Sequence, residues 1–207
     1  IAYVTWDDSL GGDIYRIRSD RSGQPERLTP VSAFYDKLNY SRDGTRLLAI
    51  RGSRLHRMRT LEDFGRHSGA SELDYVRLPA NGGTPNRITW VGAGATQQGR
   101  NAPHAGPDSS RVYIWAGSEG LLSMRYDGTD IKTIVKVQGP PPGRRPGGNA
   151  GPPPPPQEVL ISPDGARALV HASRNVYLIT IPPVGGVPPT VSVQEKSAVP
   201  TRRLTRI

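Results

Sequence analysis

The chain contains no cysteine, which excludes disulfides and thiolate-held metals and leaves the redox compartment unfixed. It has no run of 18 apolar residues, so no transmembrane helix is present. No long apolar period of helical type runs through it, so the fold is not built on long helices. Lysine is scarce. Of 27 basic residues only Lys37, Lys132, Lys136 and Lys196 are lysines, the rest being arginines, and 18 acidic residues leave a net charge of +9. Such a charge can mark a polyanion partner. Here the arginines scatter along strands and turns, and the densest set, Arg51, Arg54, Arg57 and Arg59, has no interleaved aromatic on which bases could stack. Nucleic acid is therefore not the expected partner. No signal peptide is visible, but the chain opens at Ile1 inside a strand-like run and is expected to have lost its natural N-terminus.

What is plentiful is punctuation. With 24 Gly and 21 Pro in 207 residues, the composition is that of many short strands joined by turns. Residues 40–50, YSRDGTRLLAI, read as strand, tight turn, strand, with Asp43-Gly44 expected in a primed hairpin turn because both residues tolerate positive φ. The phrase returns at 104–117 and 160–173, aligned on Asp43, Asp108 and Asp164. Three residues after each Asp stands Arg46, Arg111 or Arg167, followed by LLAI, VYIW or ALVH. The copies are 65 and 56 residues apart. That exceeds a plain four-stranded propeller blade of about 40–45 residues, so loops must be inserted. A second phrase, GDIYRIRSDRSGQPERLT at 12–29, recurs as ELDYVRLPANGGTPNRIT at 72–89 and in weaker form from 120 and 175.

Each unit is then four strands, A to D. A ends in the Asp-Gly corner, B is the apolar run, C is DIYRI-like and D ends in RLT. The expected fold is all-β: a propeller segment of four-stranded antiparallel blades at 1–30, 31–90, 103–137 and 157–207, the first lacking its A strand. The ring is incomplete, and its open edges favour self-association.

Serine-x-Asp-Gly before an apolar strand, followed by GDIY-like and RLT-like strands, resembles the WD40-like repeats of TolB-type propellers. Ser162-Pro163-Asp164-Gly165 matches that core fully. Ser41-Arg42-Asp43-Gly44 departs at the proline, and Gly106-Pro107-Asp108-Ser109 at the serine and the glycine. The runs RGSRLHRMRTLEDFG, WVGAGATQQGRNAPH and AGSEGLLSMRYDGT are also similar to the propeller ahead of the amidohydrolase barrel in some exported bacterial hydrolases. The resemblance implies a non-catalytic interaction or access-controlling module, periplasmic or otherwise exported, that docks a protein partner or the catalytic domain of its own parent chain. A free-standing TolB-like binding propeller and the propeller of a prolyl-oligopeptidase-type serine peptidase are the alternatives.

Strand direction alternates within a blade, so A–B and C–D turns share one face of the ring, and B–C and D–A connections the other. Insertions 53–71, 91–102 and 138–157 all fall on the second face, which is expected to carry the interaction. Insertion 182–201 lies on the C–D side. The candidate contact residues on the loop face are Arg54, His56, Arg57, Arg59 and Phe64 in the first loop, Gln97, Gln98 and Arg100 in the second, and Arg144 and Arg145 in the third. Residues 60–64 fit one helical turn capped by Thr60. The proline-rich third loop reads either as a disordered loop or as polyproline II broken by glycine, suited to an aromatic groove.

Chemistry is sparse. His56, His67, His104 and His171 are never two apart, so the H-x-H pair of a metal-dependent amidohydrolase is missing. His104 and His171 are expected to be packed strand histidines. Gly117-Ser118-Glu119-Gly120 is one residue short of a nucleophile elbow. Gly92-Ala93-Gly94 begins a dinucleotide fingerprint but has Gln97 where its last glycine belongs. No catalytic residue, metal site or cofactor is expected in this segment. Asp43, Gly44, Arg46, Asp108, Arg111, Asp164, Gly165 and Arg167 recur at fixed repeat positions, which argues for structural work in corners and cross-strand pairs. Trp6, Trp90 and Trp115 are expected to pack between blades.

Overall fold

A computed structural model describes residues 1–64, 73–91, 101–140, 153, 155–183, 185–193 and 201–203. The chain is an all-β propeller arc of four sheets that do not close into a ring. The first sheet holds β1 (Ala2–Val4), β2 (Ile14–Arg16) and β3 (Glu26–Arg27). The second holds β4 (Phe34–Tyr40), β5 (Arg46–Gly52), β6 (Leu73–Pro79) and β7 (Asn86–Val91) in meander order. The third is built on β8 (Arg111–Trp115), β9 (Leu121–Arg125) and β10 (Lys132–Gln138). The fourth holds β11 (Glu158–Ile161), β12 (Arg167–Ala172), β13 (Asn175–Thr180) and β15 (Thr201–Arg203), the label β14 being taken by Thr190–Ser192.

β14 departs from the expected pattern. The stretch 182–201 was expected as an insertion of the fourth unit, yet β14 runs parallel along the outer edge of β10, with Val137 opposite Val191. Lys136 donates its N–H to Pro189 O and Val193 donates to Gln138 O, both at 2.9 Å. Val191 and Val193 are buried with the third and fourth sheets. The edge N–H groups of β10 and these two valines give the segment a reason to reach back one sheet.

Three apolar layers lie between consecutive sheets. Ile14, Leu28, Tyr35, Leu47, Ala49, Val76 and Leu78 fill the first. Leu48, Ile50, Tyr75, Ile88, Val112, Ile114, Met124 and Tyr126 belong to the second. Trp115, Leu121, Val135, Val159, Val170 and Ile179 belong to the third. The run from Leu47 to Ile50 thus divides by alternation between two layers, which is why it is apolar on both faces.

The corners are held by side chains. In the second sheet, Ser41 Oγ donates to Asp43 Oδ1 (2.6 Å) and accepts the Arg46 N–H (3.0 Å), while Asp43 Oδ1 also accepts the Thr45 N–H (3.0 Å). The same set recurs at Ser162, Asp164, Ala166 and Arg167. Only the glycine has positive φ, 68° at Gly44 and 75° at Gly165. The expected primed turn, which needs positive φ at Asp as well, is therefore not formed; the carboxylate, not the φ, is what Asp43 contributes. The third corner is built differently. A Cβ at Gly106 would lie 2.5 Å from the Tyr113 ring. That ring takes the serine's place, and its hydroxyl accepts the Asp108 N–H at 3.3 Å. Pro103 and Pro107 lack ladder donors, so the A strand here shrinks to a single bridge between His104 and Tyr113.

No helix among the described residues is long and apolar enough to cross a membrane. The one α-helix among the described residues, α1 (Arg54–Phe64), starts six residues before the expected turn at Thr60. Ser53 is the cap, accepting the His56 N–H on its Oγ at 3.3 Å. The helix carries no clean apolar stripe. It is held instead by Arg57, whose guanidinium lies 4.6 Å from the Trp6 ring centre and 4.4 Å from that of Phe34.

Candidate functional site

A groove of about 1230 Å³ opens on the second sheet, beside the 30–33 loop that enters it from the first sheet and at the start of the B–C loop. Its floor is the end of the second sheet, with Tyr35, Arg51, Asp74, Arg87 and Trp90 from four successive strands. The loop at Val31 and Ser32 forms one wall, and the start of α1 at Arg54 and Leu55 closes the end.

Asp74 is the electrostatic centre. Its Oδ1 lies 2.9 Å from Arg87 Nε and its Oδ2 3.2 Å from Arg51 Nη2. Arg51 also donates to Pro85 O at 3.4 Å. Two guanidiniums thus share one carboxylate, and exposed Arg54 lines the same groove. The wall is rigid. Ser32 Oγ donates to buried Asp13 at 2.9 Å, and Asp13 also holds Thr29 (2.7 Å) and Arg27 (2.9 Å). Tyr35 donates its hydroxyl to Val31 O at 3.2 Å, and burial pushes its phenol pKa up, so it stays protonated. Apolar surface is displayed beside the charges. Trp90 is 51% exposed, Leu55 67% and Val31 69%. The arrangement can seat an extended segment that offers acidic groups to the arginines and an apolar side chain to Trp90.

Of the expected contact residues, Arg54 lines the groove and Arg59 is exposed on α1. His56 is half-buried, and Arg57 turns inward onto Trp6 and Phe34. Phe64 ends α1. Gln97, Gln98, Arg100, Arg144 and Arg145 lie outside the described residues. Asp74 and Arg87 fall inside the repeated second phrase and Arg51 in the densest basic set, but nothing in the sequence brings them together with Trp90.

The chain is similar in fold to TolB from Acinetobacter baumannii, with a TM-score of 0.55 at 14% identity. The match covers 99% of this chain and 41% of that one, so the chain spans less than half of that TolB's length. A putative TolB from Agrobacterium tumefaciens (14% identity, TM-score 0.36, 100% of this chain and 91% of that one) and the β-propeller domain of Cps50 (Swd1) from Myceliophteria thermophila (11%, 0.39, 86% and 61%) also match. No family model and no curated protein matches the sequence. The fold is TolB-like.

Other repeat positions of this TolB-like arc divide by role. Asp43, Asp108 and Asp164 have carboxyl pKa values held below the ordinary range, first of all by hydrogen bonds from neighbouring serine hydroxyls, Asp43 falling to about 2. Arg46 pairs with Asp43 at 3.3 Å. Arg111 is buried, donating to Ser123 Oγ (3.0 Å) and to Asp130 Oδ2 (2.6 Å). Arg167 is exposed. His104 is buried, accepting the Ile161 N–H on Nε2 at 3.1 Å, so Nδ1 carries the proton and points to Ala102 O at 3.2 Å. Burial drops its pKa to about 4 and keeps it neutral. His171, expected to be packed, is exposed, because its face of the fourth sheet has no described sheet against it. Trp115 is buried and donates to Pro156 O at 2.9 Å, whereas Trp90, also expected to pack between blades, stands half out of the groove. Among the described residues no group of three or more His, Asp or Glu could hold a metal ion.

Proposed function

We propose that this TolB-like arc is a protein-docking module and that the groove on its second sheet seats an extended, acidic segment of the partner. The observation that carries the reading is the charge balance at Asp74, one carboxylate shared by Arg51 and Arg87 beside Arg54 and half-exposed Trp90. A carboxylate entering the groove gains charge-assisted hydrogen bonds from guanidiniums already ordered by Asp74. The likeness of the three quoted runs to the propeller ahead of amidohydrolase barrels supports a parent of that kind, an exported metal-dependent hydrolase. The propeller would then present a partner, or its own catalytic domain, from the loop face.

The test is fluorescence anisotropy of labelled ten-residue peptides, acidic against neutral of equal hydropathy. The acidic peptides are expected to bind at least tenfold tighter, and Arg87→Glu to abolish the difference. Equal binding of both sets would overturn the reading, as would duplex DNA competing at physiological salt. The parent is tested by the reading frame beyond Ile207. An H-x-H after a strand supports the amidohydrolase, G-x-S-x-G the peptidase, and an early stop codon the free-standing module.

A further inference from the structure

The opposite face, where the Asp corners lie, holds a second site. Between the second and third sheets is a polar depression of about 460 Å³. Arg77 of β6 lies on one side; Arg111, Arg125, Tyr126, Asp127, Asp130 and Lys132 line the other. Two of its groups are unsatisfied. Tyr126 is 8% exposed, and its hydroxyl is buried with no hydrogen-bond partner among the described residues. Arg77 Nε is in the same condition. Buried polar atoms are paired almost without exception in folded proteins, so two orphans lining one depression mark missing partner atoms. Arg77 Nε can only donate and the Tyr126 hydroxyl can donate too, so a single group of acceptor atoms would satisfy both.

The surrounding charge agrees. Arg46 and Arg77 lie 5.1 and 5.9 Å from the Tyr126 ring centre. Arg46 has Asp43 at 3.3 Å, whereas Arg77 forms no ion pair among the described residues. The carboxylates that line the depression are committed elsewhere. Asp108 Oδ1 accepts from Ser110 N–H (2.8 Å) and Oγ (2.7 Å), and Asp127 Oδ1 from Thr129 N–H (3.0 Å) and Oγ1 (2.6 Å). Asp130 Oδ2 is shared by Arg111 (2.6 Å), Lys132 (3.3 Å) and Arg125 (3.8 Å). The lining sets four cations, Arg77, Arg111, Arg125 and Lys132, against three carboxylates, Asp108, Asp127 and Asp130, and that surplus of one positive charge leaves room for one more negative group.

We infer that this depression is a binding site for one compact oxyanion, a carboxylate or a phosphate, held by Arg77 and the Tyr126 hydroxyl with Arg125 and Lys132 at its rim. Its oxygens supply the acceptors that both orphans lack, and its charge balances Arg77. The site does not depend on the groove across the arc, so either can fail alone.

Isothermal titration calorimetry of the whole chain at constant ionic strength tests it, with inorganic phosphate and acetate as separate probes against chloride. One of the two is expected to bind saturably at one per chain, and the tighter one names the source of the oxyanion. Arg77→Gln should weaken that binding at least tenfold and Tyr126→Phe at least threefold. Arg167→Gln, which removes an exposed charge elsewhere, should leave it unchanged. Tyr126→Phe deletes an unpaired buried hydroxyl, so its melting temperature should hold or rise and loss of binding cannot be blamed on unfolding. Binding of neither probe above chloride overturns the site, as does an Arg77→Gln that binds like the parent or an Arg167→Gln that loses as much.

Discussion

Strands β5 and β12 carry the same phrase, an Asp-Gly corner followed by an Arg and a mostly apolar run, yet they are buried to different extents. In β5, Leu47, Leu48, Ala49 and Ile50 are all 0% exposed. In β12, Ala168 and Val170 are buried, whereas Leu169 is 42% exposed and His171 is exposed too. The backbone and the corner are alike. What differs is the neighbour: among the described residues the second sheet has sheets on both sides, the fourth on one. Burial in a repeat array is a property of position in the stack as much as of sequence.

Truncation at matched depths should show the largest effect. Ile50→Ala removes side-chain atoms between the second and third sheets and is expected to cost about 2–5 kcal/mol in denaturant unfolding. Leu169→Ala on the open face should stay within about 0.5 kcal/mol. Similar losses at both sites would mean that Leu169 is covered in solution, as it would be if copies of the chain paired through that face.

The next effect sharpens the contrast between the two ends by pH. His104 joins the third sheet to the first strand of the fourth through its bond from Ile161 N–H. Its folded pKa of about 4 lies below the ordinary value of 6.5. The folded state therefore resists protonation, and the stability tied to His104 is complete above about pH 6.5 and lost as pH falls towards 4. The whole swing is about 3 kcal/mol in magnitude. Melting followed from pH 7 to 4 should show this slope, His104→Gln should flatten it, and exposed His171→Gln should leave it intact. Asp43, with a pKa of about 2, acts in a lower window, its contribution being lost as pH falls below 3.8.

The parts of the molecule that were legible in the sequence are those that repeat. Asp43, Asp108 and Asp164 could be aligned because each makes local bonds within its own corner, so the residues that need one another are neighbours in sequence. What was not legible is held by distant partners. The start of α1 escaped notice because Arg57 is held by Trp6 and Phe34, not by an apolar stripe. β14 is three residues whose pairing lies on another sheet. The groove draws Arg51, Asp74 and Arg87 from three strands, and only the fold shows that one carboxylate serves two arginines. Gly106 reads as a defect in its motif until Tyr113 is seen to fill the space.

The smallest expected effect concerns the corner that lacks a proline. Where the third and fourth corners have Pro107 and Pro163, the second has Arg42, whose Nη1 donates to the carbonyls of both, at 2.7 and 3.3 Å. The departure from the motif thus bridges three corners. Arg42→Ala removes that bridge on an exposed surface and should cost about 1 kcal/mol. Arg42→Pro removes it too, but it installs a residue that the matching corner at Pro163 accepts with the same turn bonds. Restricting the unfolded chain should then return about 0.4–1 kcal/mol. The order of stability is expected to be parent, then Arg42→Pro, then Arg42→Ala. If Arg42→Pro instead proves more stable than the parent, the bridge contributes less than the entropy of one residue, and the arginine stands at the corner for some reason other than stability.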